Sequence, residues 1–140
     1  MNAVVVLVAI IASVLAAPCQ HTNHSNWTER QVIDLIVKHL DRDDDGVLTK
    51  LNIAIDFILK YDLDFQNGVE KKEFVTQWFK TYHDEKAFAA HVFNNLDMDN
   101  SGSLDTVDVE LLITKVDTDT DGLVTTTEFR EFLLSIYNAC

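Results

Sequence analysis

The sequence predicts an all-α fold, an array of helix-loop-helix units made from a duplicated two-loop unit with short helices between its loops. Three observations predict it. Acidic residues crowd into four short stretches, apolar residues recur at helical spacing around them, and the second half of the chain repeats the first. With 140 residues, 47% of them hydrophobic, the chain is long enough to enclose a core of its own.

The first segment, MNAVVVLVAIIASVLAA, carries an apolar run from Ala3 that ends in small residues, the pattern of a secretory signal peptide. It lacks a Lys or Arg before the run, and it falls short of the ~20 residues that span a bilayer. Residues 1–16 are therefore expected to be a cleaved signal, and 17–27 a flexible N-terminal segment. Asn23-His24-Ser25 and Asn26-Trp27-Thr28 are both glycosylation sequons, which agrees with export. Cys19 and Cys140 are the only cysteines. In an oxidising compartment they have three fates: a bridge within the chain, worth up to ~4–5 kcal/mol in the loop-entropy model, a bridge between two chains, or two ends that never meet.

The first helix is expected to start after Thr28, where Thr28-Glu-Arg-Gln31 is a capping box and Val32, Leu35, Ile36 and Leu40 form an inward stripe. Phe88, Val92 and Leu96 repeat that stripe in the second half. Setting 29–78 above 85–131 aligns Leu40-Asp41 with Leu96-Asp97 and Glu73-Phe74 with Glu128-Phe129, so 28–83 and 84–140 each hold one two-loop unit. Lys72–Leu96 contains neither Gly nor Pro, yet Asp84 suits an N-cap, which predicts a break near His83-Asp84. Phe74, Trp78, Phe79, Phe129 and Phe132 read as core aromatics.

The four acidic stretches follow one pattern. The last is the most complete: Asp117-Thr-Asp119-Thr-Asp121-Gly122-Leu-Val124-Thr125-Thr-Thr-Glu128. Oxygen-bearing residues stand at positions 1, 3, 5 and 12, glycine at 6, and a β-branched residue at 8, the spacing a twelve-residue loop uses to wrap a hard cation. The first, Asp41-Arg-Asp43-Asp-Asp45-Gly46-Val-Leu48-Thr49-Lys-Leu-Asn52, ends in a neutral amide. The second, Asp62-Leu-Asp64-Phe-Gln66-Asn67-Gly68-Val69-Glu70-Lys-Lys-Glu73, keeps its glutamate but has Asn67 at the turn, with glycine one residue late. The third, Asp97-Met-Asp99-Asn-Ser101-Gly102-Ser-Leu104-Asp105-Thr-Val-Asp108, ends in the shorter Asp108.

These loops resemble those of the EF-hand calcium-binding superfamily, and the resemblance covers nearly all the chain after the leader. It implies Ca2+ ligation by Asp41, Asp43 and Asp45 in loop one, Asp62, Asp64, Gln66 and Glu73 in loop two, Asp97, Asp99, Ser101 and Asp108 in loop three, and Asp117, Asp119, Asp121 and Glu128 in loop four. The departures, at position 12 in loops one and three and at the Asn67 turn in loop two, rank the loops four, two, three, one, with Mg2+ competing at loops one and three.

Loop starts lie 21 and 20 residues apart within each half but 35 apart between halves. One short segment must then exit one loop and enter the next. Leu51–Leu59 and Val107–Ile113 fill that role, the former apolar on nearly all sides, as a buried helix would be. A helix of ten to twelve residues is ~15–18 Å long, so it holds its two loops at opposite ends. Loops two and three are therefore expected to pair, leaving one and four to meet each other or stand alone.

A net charge of −12 disfavours nucleic acid and anionic membrane surfaces and favours cations. The sequence shows no phosphate-binding glycine loop, and His21, His24, His39, His83 and His91 have no metal-ligand or triad spacing, so an enzyme is not expected. The expected role is a secreted, extracellular Ca2+ buffer, store or calcium-stabilised structural module, with an extracellular protein or mineral as partner. The chain closes Tyr137-Asn-Ala-Cys140, without a lumenal retention signal. A sensor with a calcium-opened groove is the alternative, weakened by having Met98 as the single methionine beyond the leader.

Overall fold

A computed structural model describes residues 27–140. The leader, both sequon asparagines and Cys19 lie outside the described residues. Among the described residues, helix α1 (Glu29–Leu40) leads through loop one and β1 (Val47–Leu48) to α2 (Lys50–Ala54), which runs on as a π-helical stretch, Ile55–Leu59. Loop two and β2 (Val69–Glu70) precede α3 (Lys71–Tyr82). The second half repeats this as α4 (Lys86–Leu96), β3 (Ser103–Leu104), α5 (Thr106–Val116), β4 (Val124–Thr125) and α6 (Thr126–Asn138).

The expected capping box opens α1: Thr28 accepts from the Gln31 N–H, and Gln31 returns the contact to the Thr28 N–H at 2.8 Å. Its buried stripe is Val32, Ile33, Ile36, Val37 and Leu40, with Leu35 at the edge. The break between the halves also stands where expected. His83 caps α3 in the left-handed conformation, φ 59°, and a new helix starts at Lys86.

Both loop pairings run between the halves. β2 pairs antiparallel with β3, Val69 opposite Leu104, and β1 pairs antiparallel with β4, Leu48 opposite Val124. The Thr126 N–H adds a bond to the Gly46 carbonyl at 3.0 Å. The cause is the one read from the spacing: a short shared helix holds its two loops apart, so each loop finds its partner in the other half. Helices α1 and α6 pack on each other, as do α3 and α4. The four position-8 residues Leu48, Val69, Leu104 and Val124 are all buried where these layers meet. Aromatic contacts join the layers: Phe74 lies 5.4 Å from Trp78 and 5.6 Å from Phe93, and Phe57 stacks on Phe129 at 6.1 Å between ring centres.

This interleaving carries a consequence for folding. A fragment of residues 28–83 keeps two β segments and loses both of their partners, along with the α6 face that covers α1. Neither 28–83 nor 84–140 alone is expected to show a cooperative thermal transition by circular dichroism, whereas an equimolar mixture should regain one. A cooperative melt of either isolated half would overturn this reading of the ladders.

Three sequence expectations need correction. Phe79 is 44% exposed and lies under the Lys86 ammonium at 5.5 Å, because Phe74, Trp78 and Tyr82, each four residues apart, form the inward stripe of α3. The segment between loops one and two is not apolar-buried on all sides: Leu51 and Leu59 are exposed, while Asp56 is buried. The π-helical bond from the Lys60 N–H to the Ile55 carbonyl widens the turn and shifts the helical phase, and Asp56 is neutralised by Arg42 at 3.2 Å and by Lys60. Asp84 is no N-cap. Glu85 holds that position, and the fully buried Asp84 carboxylate accepts from Trp78 Nε1 at 2.7 Å and from the Tyr137 hydroxyl at 2.8 Å. Burial, with the Asp84 charge second, pushes the Tyr137 phenol far above its usual range.

Candidate metal centres

Each acidic stretch folds back on itself through local bonds between side chains and backbone. In loop one Asp41 accepts from the Asp45 and Gly46 N–H groups, both at 3.1 Å, and in loop three Asp97 accepts from Ser101 and Gly102 at 2.9 and 3.0 Å. In loop four Asp117 Oδ2 accepts from Gly122 at 3.0 Å. Position 4 is left-handed in every loop: Asp44, Phe65, Asn100 and Thr120 have φ of 56° to 58°. Asn and Asp tolerate this conformation, whereas Phe65 bears a cost of about 1–2 kcal/mol and leaves its ring in solvent. Loop two alone has a left-handed pair at its turn, Asn67 at φ 60° and Gly68 at 72°. Gly68 is required there, since a Cβ would stand 2.6 Å from the Leu104 carbonyl oxygen.

The position-12 side chains do two things. Each caps the helix that leaves its loop, and in loops two to four each also reaches back to the loop's first turn. Glu73 accepts from Leu63 N–H at 3.3 Å and Glu70 N–H at 3.1 Å. Asp108 accepts from Met98 at 2.7 Å and Asp105 at 2.9 Å, and Glu128 from Thr118 and Thr125, both at 2.9 Å. Asn52 makes only the capping contacts, to the Thr49 N–H at 2.9 Å and to its hydroxyl. One methylene shorter than Glu and uncharged, it leaves loop one open on the side the other loops close.

These bonds assemble four carboxylate groups: Asp41, Asp43, Asp45; Asp62, Asp64, Glu73; Asp97, Asp99, Asp108; and Asp117, Asp119, Glu128. Within each, one oxygen from every residue lies within 4.8 Å of the others. Asp121 stands outside the fourth group, its Oδ1 turned to the Leu123 N–H at 2.8 Å, and Gln66 and Ser101 offer the neutral position-5 oxygens of their loops. Like charges this close repel unless a cation or hydrogen bonds compensate. Among the described buried oxygens without a hydrogen-bond donor, two lie in the loops, Asp62 Oδ1 and Asp117 Oδ1. They belong to the two loops that keep Glu at position 12, and an all-oxygen set with an unsatisfied buried carboxylate fits a hard divalent ion.

The carboxylates differ in proton affinity. The Thr125 N–H, then the Thr125 hydroxyl and the Thr118 N–H, hold Glu128 down to about 2. Its folded-state value is depressed, so its contribution to stability is present above the ordinary glutamate range and lost as the pH falls through about 2. Burial pushes Asp108 up, against bonds from Asp105, Asp99 and Met98. Its raised folded-state value means that its ionisation costs stability as the pH rises above the ordinary aspartate range.

A family model of the EF-hand domain pair matches residues 10–50. The described part of that match is α1, loop one and the start of α2. No curated protein matches the chain.

Proposed function

We propose that this chain is an EF-hand calcium-binding protein, a secreted calcium buffer, store or calcium-stabilised module of extracellular fluid; the EF-hand pair match over residues 10–50 and the four three-carboxylate groups support the calcium reading. The observation that carries the metal reading is the pair of donorless buried oxygens, Asp62 Oδ1 and Asp117 Oδ1, each inside a three-carboxylate group. Loop four takes its ion through Asp117, Asp119, Asp121 and Glu128, and loop two through Asp62, Asp64, Gln66 and Glu73. Loop three, with Asp97, Asp99, Ser101 and Asp108, and loop one, with Asp41, Asp43 and Asp45, bind more weakly and admit magnesium. Among the described residues no helix is long and apolar enough to cross a membrane.

Extracellular EF-hands need dissociation constants of only ~10⁻⁴–10⁻³ M to stay filled. Sites of that strength, on a chain of net charge −12, hold the fold together or store calcium rather than report its changes. The leader and the two sequons support export, and secretion of a glycosylated product by a eukaryotic cell expressing the natural leader tests it. A bridge between Cys19 and Cys140 follows from the same compartment; peptide mapping with and without reductant reads it directly.

Asn52→Glu tests the position-12 argument. It is expected to raise calcium affinity at loop one on the order of tenfold, seen as added heat in calorimetric titration of the purified chain. An unchanged titration would sink the claim that Asn52 limits this loop.

One observation favours the sensor alternative: Leu51, Leu59, Val107 and Leu111 of the shared helices are exposed. Calcium-dependent binding of a hydrophobic dye supports a sensor, and calcium-independent binding supports the buffer.

A further inference from the structure

Loop two contains the pair Asn67-Gly68, in which the glycine nitrogen is unshielded by a neighbouring side chain. Asparagine side-chain amides are chemically labile, and a following glycine exposes them most. The structure separates this pair from every comparable one. In the two Asp-Gly pairs, the Gly46 and Gly122 N–H groups are tied to Asp41 and Asp117 at 3.1 and 3.0 Å. Their Asp45 and Asp121 side chains are held by the Val47 and Leu123 N–H groups, both at 2.8 Å. In Asn100-Ser101, the Ser101 N–H donates to Asp97 and Asp99, both at 2.9 Å. Asn67 is exposed, and among the described residues neither its side chain nor the Gly68 N–H has a hydrogen-bond partner.

We propose that Asn67-Gly68 is a spontaneous deamidation site that ages the second calcium loop, at a rate set by calcium occupancy. The Gly68 nitrogen, losing its proton to solvent base, attacks Asn67 Cγ. The bond from Cγ to the amide nitrogen breaks, and that nitrogen leaves as ammonia. A five-membered succinimide results, and one water opens it. Cleavage between Cγ and the Gly68 nitrogen yields aspartate, whereas cleavage at the main-chain carbonyl yields isoaspartate. One water is consumed, one ammonia released, one carboxylate gained, and nothing is oxidised or reduced.

Isoaspartate lengthens the main chain by one carbon between loop positions 6 and 7. The segment cannot absorb it quietly. Gly68 already lies too close to the Leu104 carbonyl for a Cβ, and the next residue, Val69, is the one paired with Leu104. The longer chain displaces that ladder, and with it both loop two and loop three. Bound calcium opposes the reaction by holding Asp62, Asp64 and Glu73 around the ion, so the loop must open before Gly68 can reach Cγ. This part rests on the calcium reading above. By mass action, calcium at about 100 times the site's dissociation constant slows the reaction about 100-fold.

The test is incubation of the purified full chain at mildly alkaline pH in chelator or in excess calcium, with peptide mass mapping, ammonia release and methyl acceptance by an isoaspartyl methyltransferase. Fast conversion at Asn67 in chelator, slow conversion in calcium, and none at that position in Asn67→Gly is the result expected. Aged protein should lose loop-two heat in calorimetry, while fresh Asn67→Gly keeps it. No conversion at Asn67 in chelator, or conversion there no faster than at Asn100, overturns the proposal. Equal rates in chelator and calcium, with the loop-two heat present, overturn the protection by calcium. Absence of any calcium heat overturns the calcium reading instead, and conversion in chelator still decides the chemistry at Asn67.

Discussion

Replacing Glu128 by Gln is expected to remove the tightest calcium site and leave the helical fold in place. In the native loop both carboxylate oxygens are used: Oε1 accepts from the Thr118 N–H and Oε2 from the Thr125 N–H, each at 2.9 Å. Both neighbours are donors. An amide can satisfy one with its oxygen, and it must then turn its own NH2 toward the other. It also withdraws a full negative charge from Asp117 and Asp119, and with it the two-oxygen grip on the ion. The expected loss of affinity at this loop is on the order of 100-fold, read by calorimetric titration of the purified chain. The helix keeps its cap, because Gln serves at that position of a capping box as Glu does, so the circular dichroism spectrum should change little. Loop two, whose Glu73 is untouched, should keep its heat. A Glu128→Gln titration that matches the unmodified chain would show that loop four is not the principal site.

The largest effect on stability is expected at Asp84. Its Oδ2 accepts from Trp78 Nε1 of α3 and from the Tyr137 hydroxyl of α6, and all three residues are buried. Asp84→Ala strands both donors and opens a cavity beside the largest side chain of the core. Two hydrogen bonds to a charged group, worth ~1.5–3 kcal/mol each, are lost, so the loss should be about 3–6 kcal/mol in urea unfolding. Asp84→Asn separates charge from hydrogen bonding. Its amide oxygen can still accept from both donors, so it should recover most of the loss. Equal midpoints for the Ala variant and the unmodified chain would show that this contact stabilises nothing. Calcium titration of both variants should preserve the loop-four heat, since Asp84 belongs to no carboxylate group.

These two residues were not equally legible. Glu128 declares itself by position, because a loop that wraps an ion draws its ligands from one stretch of twelve residues, and the requirement is written in that spacing. The same locality exposed the capping box at Thr28 and the break after His83. Asp84 gave a misleading signal: an acid before a helix reads as a cap, and its actual donors lie 6 and 53 residues away. Asp56 gave no signal of its own. It stands in a run of apolar residues, and a π-helical turn and two cations draw it inside. Phe79 read as core as one of several aromatics at helical spacing, whereas the inward stripe runs from Trp78 to Tyr82. No signal in the sequence pointed to the unsatisfied oxygens of Asp62 and Asp117, which follow from burial alone.

What the sequence determined by itself is the helical class, the four loops, how completely each matches the loop pattern, and even which loops could not pair. Each is a matter of spacing along one stretch of chain, and bond lengths and the rise of a helix convert spacing into geometry directly. Only the tertiary structure decided that loop one closes on loop four, that the halves share one core, and that Asp56 and Asp84 are buried as acceptors. Those outcomes depend on which surfaces meet across long separations, and burial can invert the preference that a residue shows in isolation.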